Sequence, residues 1–232
     1  MSHPRVSALI ALLERIESSQ SKKSHPHSRA IVGEVRSLTQ AAQGLASMFG
    51  NPDPYETAAK NDKKVADSSR KLSQRVDTAL DRWNQIFQAG SIDLDMRVNE
   101  KANLKAGPYD TEIRQVFRSM STKDRAAFLS KSLKDADAAT LSALLLAPPS
   151  VTTLDPEMVS QLRESYIAKV APDEIAERDA LMQDMDTAMT MIGVARKLST
   201  ELLNPAKLRE AEAAEQLAKN AQAKFDSALN PV

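Results

Sequence analysis

Cysteine is absent from this chain, which excludes disulfides, thiolate zinc sites, iron–sulfur clusters and cysteine nucleophiles. Glycine occurs at six of 232 positions, with no Gly-x-Gly and no Gly-Lys-Ser/Thr, so the turns that cradle nucleotide phosphates are missing. Aromatics make up 4% of the residues and basic and acidic side chains balance at 31 each, leaving little of the basic, aromatic-interleaved surface that nucleic-acid binding uses. The longest purely apolar runs, Ala8 to Leu13 and Ala143 to Ala147, fall far short of the ~20 residues that span a bilayer, so no membrane span is expected. Arg5 precedes a short apolar stretch, but Glu14 and Glu17 follow it without a small-residue cleavage site. The start of the chain therefore reads as an amphipathic helix rather than a signal peptide.

What the chain has is helical periodicity. Val6, Leu9, Ile10, Leu13 and Ile16 predict a helix from Pro4 to Ser19, and Pro26 within Ser21 to His27 predicts a loop after it. Ile31, Val35, Leu38, Ala42, Leu45 and Phe49 step by four and three, and Gly50 suits a left-handed helix end. Asp53 and Pro54 read as the cap and first residue of a helix running to Gly90, about 54 Å long, whose Leu72 to Phe87 seam should pair antiparallel with the Ile31 to Phe49 seam. Ile92, Leu94, Met96 and Val98 then alternate with Asp93, Asp95 and Arg97. Over 91–107 either a short extended arm or a helix or irregular loop fits, and an extended arm would have to pair with another chain.

Beyond Gly107-Pro108, short helices are expected over Asp110 to Met120, Lys123 to Leu133 and Asp137 to Ala147, the last ended by Pro148-Pro149. Asp155-Pro156 caps and starts another, with Leu154 stapled onto Val159. A long helix from Pro172 to Leu203 carries the stepped seam Leu181, Met185, Ala188, Ile192, Ala195, Ser199 and Leu202. After Asn204-Pro205 a final helix places Ala211, Ala214, Ala218, Ala221, Phe225 and Ala228 on one side. The expected fold is all-α: an elongated bundle with long coiled-coil-like helices, divided into 1–107 and 108–232. Residues 1–150 carry 22 basic against 17 acidic side chains and 151–232 carry 9 against 14, a mild asymmetry that salt largely screens.

No catalytic constellation emerges, so no enzyme activity, cofactor or metal is assigned. His3, His25 and His27 are the only histidines and read as part of a solvated loop without a third ligand. Asp93/Asp95 and Asp184/Asp186 are carboxylate pairs, but on a helix two positions diverge by about 200°. Lys60 to Arg75 is the most basic stretch, yet Asp62, Asp67 and Asp77 interrupt it, so nucleic acid is not the expected partner. Met182, Met185, Met189 and Met191 suit core packing or an adaptable protein-binding groove. The candidate interaction residues are Leu181, Met182, Met185, Met189, Ile192, Ala218, Ala221 and Phe225.

Leu144-Leu-Leu-Ala-Pro-Pro-Ser-Val-Thr-Thr-Leu-Asp-Pro-Glu157, with Arg163-Glu-Ser-Tyr166 and Pro172, resembles a pattern in uncharacterised helical proteins encoded by tailed bacteriophages and prophages. The resemblance covers about a third of the chain and brings no catalytic residues with it. It implies a virion accessory, whether neck, internal or scaffold-like, made in the bacterial cytoplasm and incorporated through contacts with its own copies or other virion proteins. The alternative is a cytoplasmic helical adaptor or regulator that binds one protein partner.

Overall fold

The computed structural model describes residues 3–20, 25–203 and 205–229, and among them ten helices and no strand. The fold is all-α. The elements are α1 (Pro4–Ser19), α2 (Pro26–Gly50), α3 (Ala58–Ala102), α4 (Asp110–Ser119), α5 (Thr122–Asp135), α6 (Ala138–Leu145), α7 (Pro149–Thr152), α8 (Pro156–Val170), α9 (Pro172–Leu202) and α10 (Pro205–Leu229). Proline opens α1, α2, α7, α8, α9 and α10, where its fixed φ is already helical and its missing amide hydrogen costs nothing. Side-chain caps then satisfy amides that the first turns leave open: Ser121 accepts from the Asp124 amide, Asp137 from Thr140 and Asp155 from Met158.

Several ends differ from expectation. Pro26 starts α2 instead of lying in a loop, which makes His25 the cap; positions 21–24 of that expected loop, and Asn204, lie outside the described residues. Asp53 and Pro54 form a turn ahead of α3, in which Asp53 accepts from the Tyr55 amide at 2.9 Å, and the helix begins only after Thr57, whose hydroxyl accepts from the Lys60 amide at 3.3 Å. Gly50 stays helical, and Asn51 closes α2 by donating its amide to the Ser47 carbonyl at 2.9 Å. The left-handed positions are instead Asn103, Ala136 and Thr153, each ending a helix. Pro148-Pro149 ends α6 but also opens the single turn of α7.

The chain forms two compact units. The first comprises Met1–Gln88 with Ala180–Val232. In it α1 packs against α2, and α2 runs antiparallel to α3: Glu34 pairs with Arg82 at 2.9 Å, Ser37 accepts from Arg75 at 2.6 Å, and Ser68 lies against Met48 at 3.8 Å. The expected seam is therefore present, with Ile31, Val35, Leu38, Leu72, Val76 and Trp83 fully or nearly buried, although Phe49 at its end is exposed. Each large apolar side chain buried there contributes about 1.5–3 kcal/mol. The α9 seam from Leu181 to Leu202 is buried at every step.

The second unit is Ala89–Asp179, so the Gly107-Pro108 break, where the sequence suggested a boundary, falls inside it. Residues 91–102 are the end of α3 and not an extended arm; only 103–107 are irregular. A helix accounts for the alternation, because Leu94, Val98 and Ala102 line one buried face while Ile92 and Met96, each 60% exposed, line another. α6 packs against α4, α5 and α8. Leu141, Leu145, Leu162 and Tyr166 close over Ala102, and the Tyr166 hydroxyl donates to the Ala102 carbonyl at 2.9 Å. Phe117, Leu144 and Leu154 form a neighbouring cluster that includes Val159, the expected staple. Arg125 locks α4 by donating to the carbonyls of Phe117 and Arg118 at its end, with its guanidinium 5.5 Å from the Phe117 ring centre.

Candidate interaction surface

His3, His25, Asp184 and Glu174 are engaged in holding helices. His3 and His25 cap α1 and α2, their Nδ1 atoms accepting from the amides of Arg5 and His27 at 3.3 Å. His25 is 3% exposed and stacks on His27 with ring centres 5.1 Å apart, so it is a core cap rather than part of a solvated loop. The cause is Pro26, which moves the helix start back to it. Among the described residues no three His, Asp or Glu side chains converge in a metal-binding group.

The carboxylate pairs diverge as helical geometry requires. Asp184 is buried on α9 and accepts hydrogen bonds from Ser19 at 3.0 Å, Gln20 at 2.7 Å and Ser28, tying the ends of α1 and α2 to α9, whereas Asp186 is exposed. Asp93 stands 3.9 Å from Arg97, four residues on, and Asp95 is exposed. A second buried carboxylate, Glu174, lies in the other unit. Lys101 at 2.7 Å and Arg97 at 3.4 Å surround it, and the Lys101 contact outweighs burial to hold its carboxyl below the usual range. Sequence reasoning missed Asp184 as a hub. Its signal was present, since Asp184 follows Leu181 by three positions and precedes Ala188 by four, on the core side of the seam.

Four of the six basic side chains between Lys60 and Arg75 are paired with carboxylates of the chain. Lys60 and Lys64 both pair with Glu56, Lys63 pairs with Glu215 on α10, and Arg70 lies 3.5 Å from Asp67. Glu215 is also 2.9 Å from Lys219. The Lys63 hydrogen bond, followed by that of Lys219, lowers its carboxyl from the ordinary 4.5 to about 2.

The candidate interaction residues separate into two sets. Leu181, Met185 and Ile192 on α9 are buried, as is Met191, so the chain's own core uses them; Met182 and Met189 point outward from the same helix. Among the described side chains of α10, the buried ones are Leu208 and Ala211 in its first turns. Ala214, Ala218, Ala221 and Phe225 are all exposed; the side chain of Ala228 lies outside the described residues. Phe225 is 60% exposed, and Leu217 and Leu229, at 70% and 63%, flank the same face. Beside its first half runs a groove of about 730 Å³ between α3 and α10, floored by Ala59, Ala211, Ala214 and Ala218 and walled by Lys60, Lys63, Lys64 and Glu215. Leu217 and Leu229 were not singled out from sequence, because they sit beside the stepped alanines rather than on them.

Among the described residues no helix is long and apolar enough to cross a membrane. No family model matches the chain, and neither a curated protein nor a solved structure does.

Proposed function

We propose that this chain is a non-enzymatic structural or interaction protein that assembles through the exposed apolar face of α10. The observation that carries the reading is Leu217, Phe225 and Leu229 standing largely exposed on one side of a helix whose buried side chains, among those described, lie in its first turns. Burying each would stabilise a contact by about 1.5–3 kcal/mol before the cost of association is subtracted. The non-catalytic part is supported by the engagement of His3 and His25 as caps and of Asp184 as the tie between helices. The setting we assign follows the resemblance of Leu144 to Pro172: an accessory of a tailed-phage virion, made in the bacterial cytoplasm and drawn into the particle by protein contacts.

The test uses cells that produce such particles. The parent chain should sediment with assembled particles, and the double variant Ala218→Glu/Ala221→Glu, which puts two charges on the α10 face, should remain with free protein. A variant that sediments with particles as the parent does would refute the reading.

A further inference from the structure

Within the first unit, Asp77 on α3 pairs with Arg196 on α9 at 2.6 Å, and beside that pair the two helices leave a cleft of about 290 Å³. Its lining steps back along α3 from Gln74 and Ser73 to Arg70 and Ser69, and forward along α9 from Ser199 and Thr200 to Leu203. Ser69 is the side chain that the fold leaves unserved. It is 1% exposed, and its hydroxyl has no hydrogen-bond partner. A helical serine or threonine can spend its proton on a carbonyl about one turn back, as Ser199 and Thr200 do, donating to the Arg196 carbonyl at 2.8 and 2.9 Å. Ser69 does not. A buried hydroxyl without a partner keeps its full desolvation cost, and on the wall of a cleft a bound molecule can offset it.

We infer that this cleft binds a small, neutral, polyhydroxylated molecule the size of one sugar ring, with the Ser69 hydroxyl as a hydrogen-bonding partner. The lining sets the chemistry. Serine and threonine hydroxyls and the Gln74 amide can all accept, and Ser69, Ser73 and Gln74 can also donate, which matches a ring of hydroxyls that do both. Leu203 offers an apolar wall to the C–H face of such a ring. Charge disfavours an anion. Arg70 is the charged residue among the described lining, Asp67 lies 3.5 Å from it, and the carbonyl end of α9 at Leu202 adds partial negative charge. The volume, at the lower end of ligand pockets, suits one ring and not a chain of them. The α10 face takes no part, so this binding stands or falls separately from the assembly reading.

The test titrates the purified, isotope-labelled full-length chain with D-glucose, D-galactose, N-acetyl-D-glucosamine and myo-inositol in turn, and with inorganic phosphate as the charged comparison, following backbone amides by NMR. The expected result is that at least one neutral probe moves the amides of 69–74 and 199–203 along a saturable, millimolar curve. Ser69→Ala should weaken that binding about fivefold, as the loss of one hydrogen bond does, while the exposed Ser160→Ala leaves it unchanged. Since Ser69→Ala removes a hydroxyl with no partner in the chain, it should melt no lower than the parent, which separates weaker binding from a damaged fold. No saturable shift from any neutral probe up to roughly 100 mM would leave the cleft to water and overturn the proposal. Saturation by phosphate alone would overturn the neutral class of ligand. Parent-like binding by Ser69→Ala, or a melting temperature several degrees below the parent's, would overturn the role given to Ser69.

Discussion

α9 and α10 carry the same three-and-four stepping of apolar residues, and the chain treats them in opposite ways. On α9 the steps are Leu181, Met185, Ala188, Ile192, Ala195, Ser199 and Leu202, and every one is buried. On α10 they are mostly alanines, with one Phe, and beyond Ala211 the described ones face solvent. The difference lies in what stands beside the seam. α9 has a buried polar anchor, Asp184, that accepts from side chains at the ends of α1 and α2. α10 is fastened to α3 by the exposed Lys63–Glu215 pair next to Leu208 and Ala211. Periodicity thus identifies the direction of an apolar face, whereas side-chain size and flanking anchors decide whether the single chain covers it.

The comparison breaks most easily at its apolar centre. Ile192→Asp places a carboxylate in the core and should cost about 3 kcal/mol or more, while Phe225→Asp should leave the melting of the dilute chain within about 0.5 kcal/mol of the parent. Equal losses from both, measured by urea unfolding, would mean that α10 is as much a part of the core as α9. Next comes the polar anchor. Asp184→Ala leaves the donors of Ser19, Gln20 and Ser28 without their acceptor and should cost about 2–3 kcal/mol, against less than about 0.5 kcal/mol for the exposed Asp186→Ala. The same unfolding measurement decides it, and matched values for the two variants would remove Asp184 as a tie.

The smallest effect concerns the α10 fastening. Glu215 titrates at about 2 when folded and near 4.5 when unfolded, so its contribution is fully present above pH 4.5 and is lost as the pH falls from 4.5 toward 2. Exposure and screening keep it small. Amide protection in the first half of α10, corrected for the intrinsic pH dependence of exchange, should fall over that interval in the parent and show no such fall in Glu215→Gln. A fall of the same size in both would assign the loosening to other groups.

Much of this was legible in the sequence, for identifiable reasons. Pro156 and Pro172 sit at first helical positions, and the starts of α8 and α9 fall at those residues because the fixed φ of proline leaves few alternatives. Asp53-Pro54 offered the same signal and misled, since Thr57 four residues later competes as a cap and the intervening turn is held by Asp53 itself. The alternation over Ile92 to Val98 suggested an extended arm because two residues on a helix are separated by about 200°, which resembles opposite faces of a strand. Length arbitrates: an unbroken helical pattern leads into it, and Gly90 did not stop the helix. The spacing from Leu181 to Ala188 puts Asp184 on the core side of α9, but which side chains meet it there depends on how α1 and α2 pack, and the burial of His25 depends on the same packing.

The account's central claim is that α10's face belongs to an assembly and not to the core of the chain. The most direct test measures mass by light scattering and thermal unfolding on the same sample of Ala218→Glu/Ala221→Glu. The account predicts a fall to the one-chain mass of 25.4 kDa, with a melting temperature in dilute solution within about 2 °C of the parent at equal dilution. A mass unchanged from the parent together with a melting temperature many degrees lower would contradict it, because those two residues would then be supporting the fold itself.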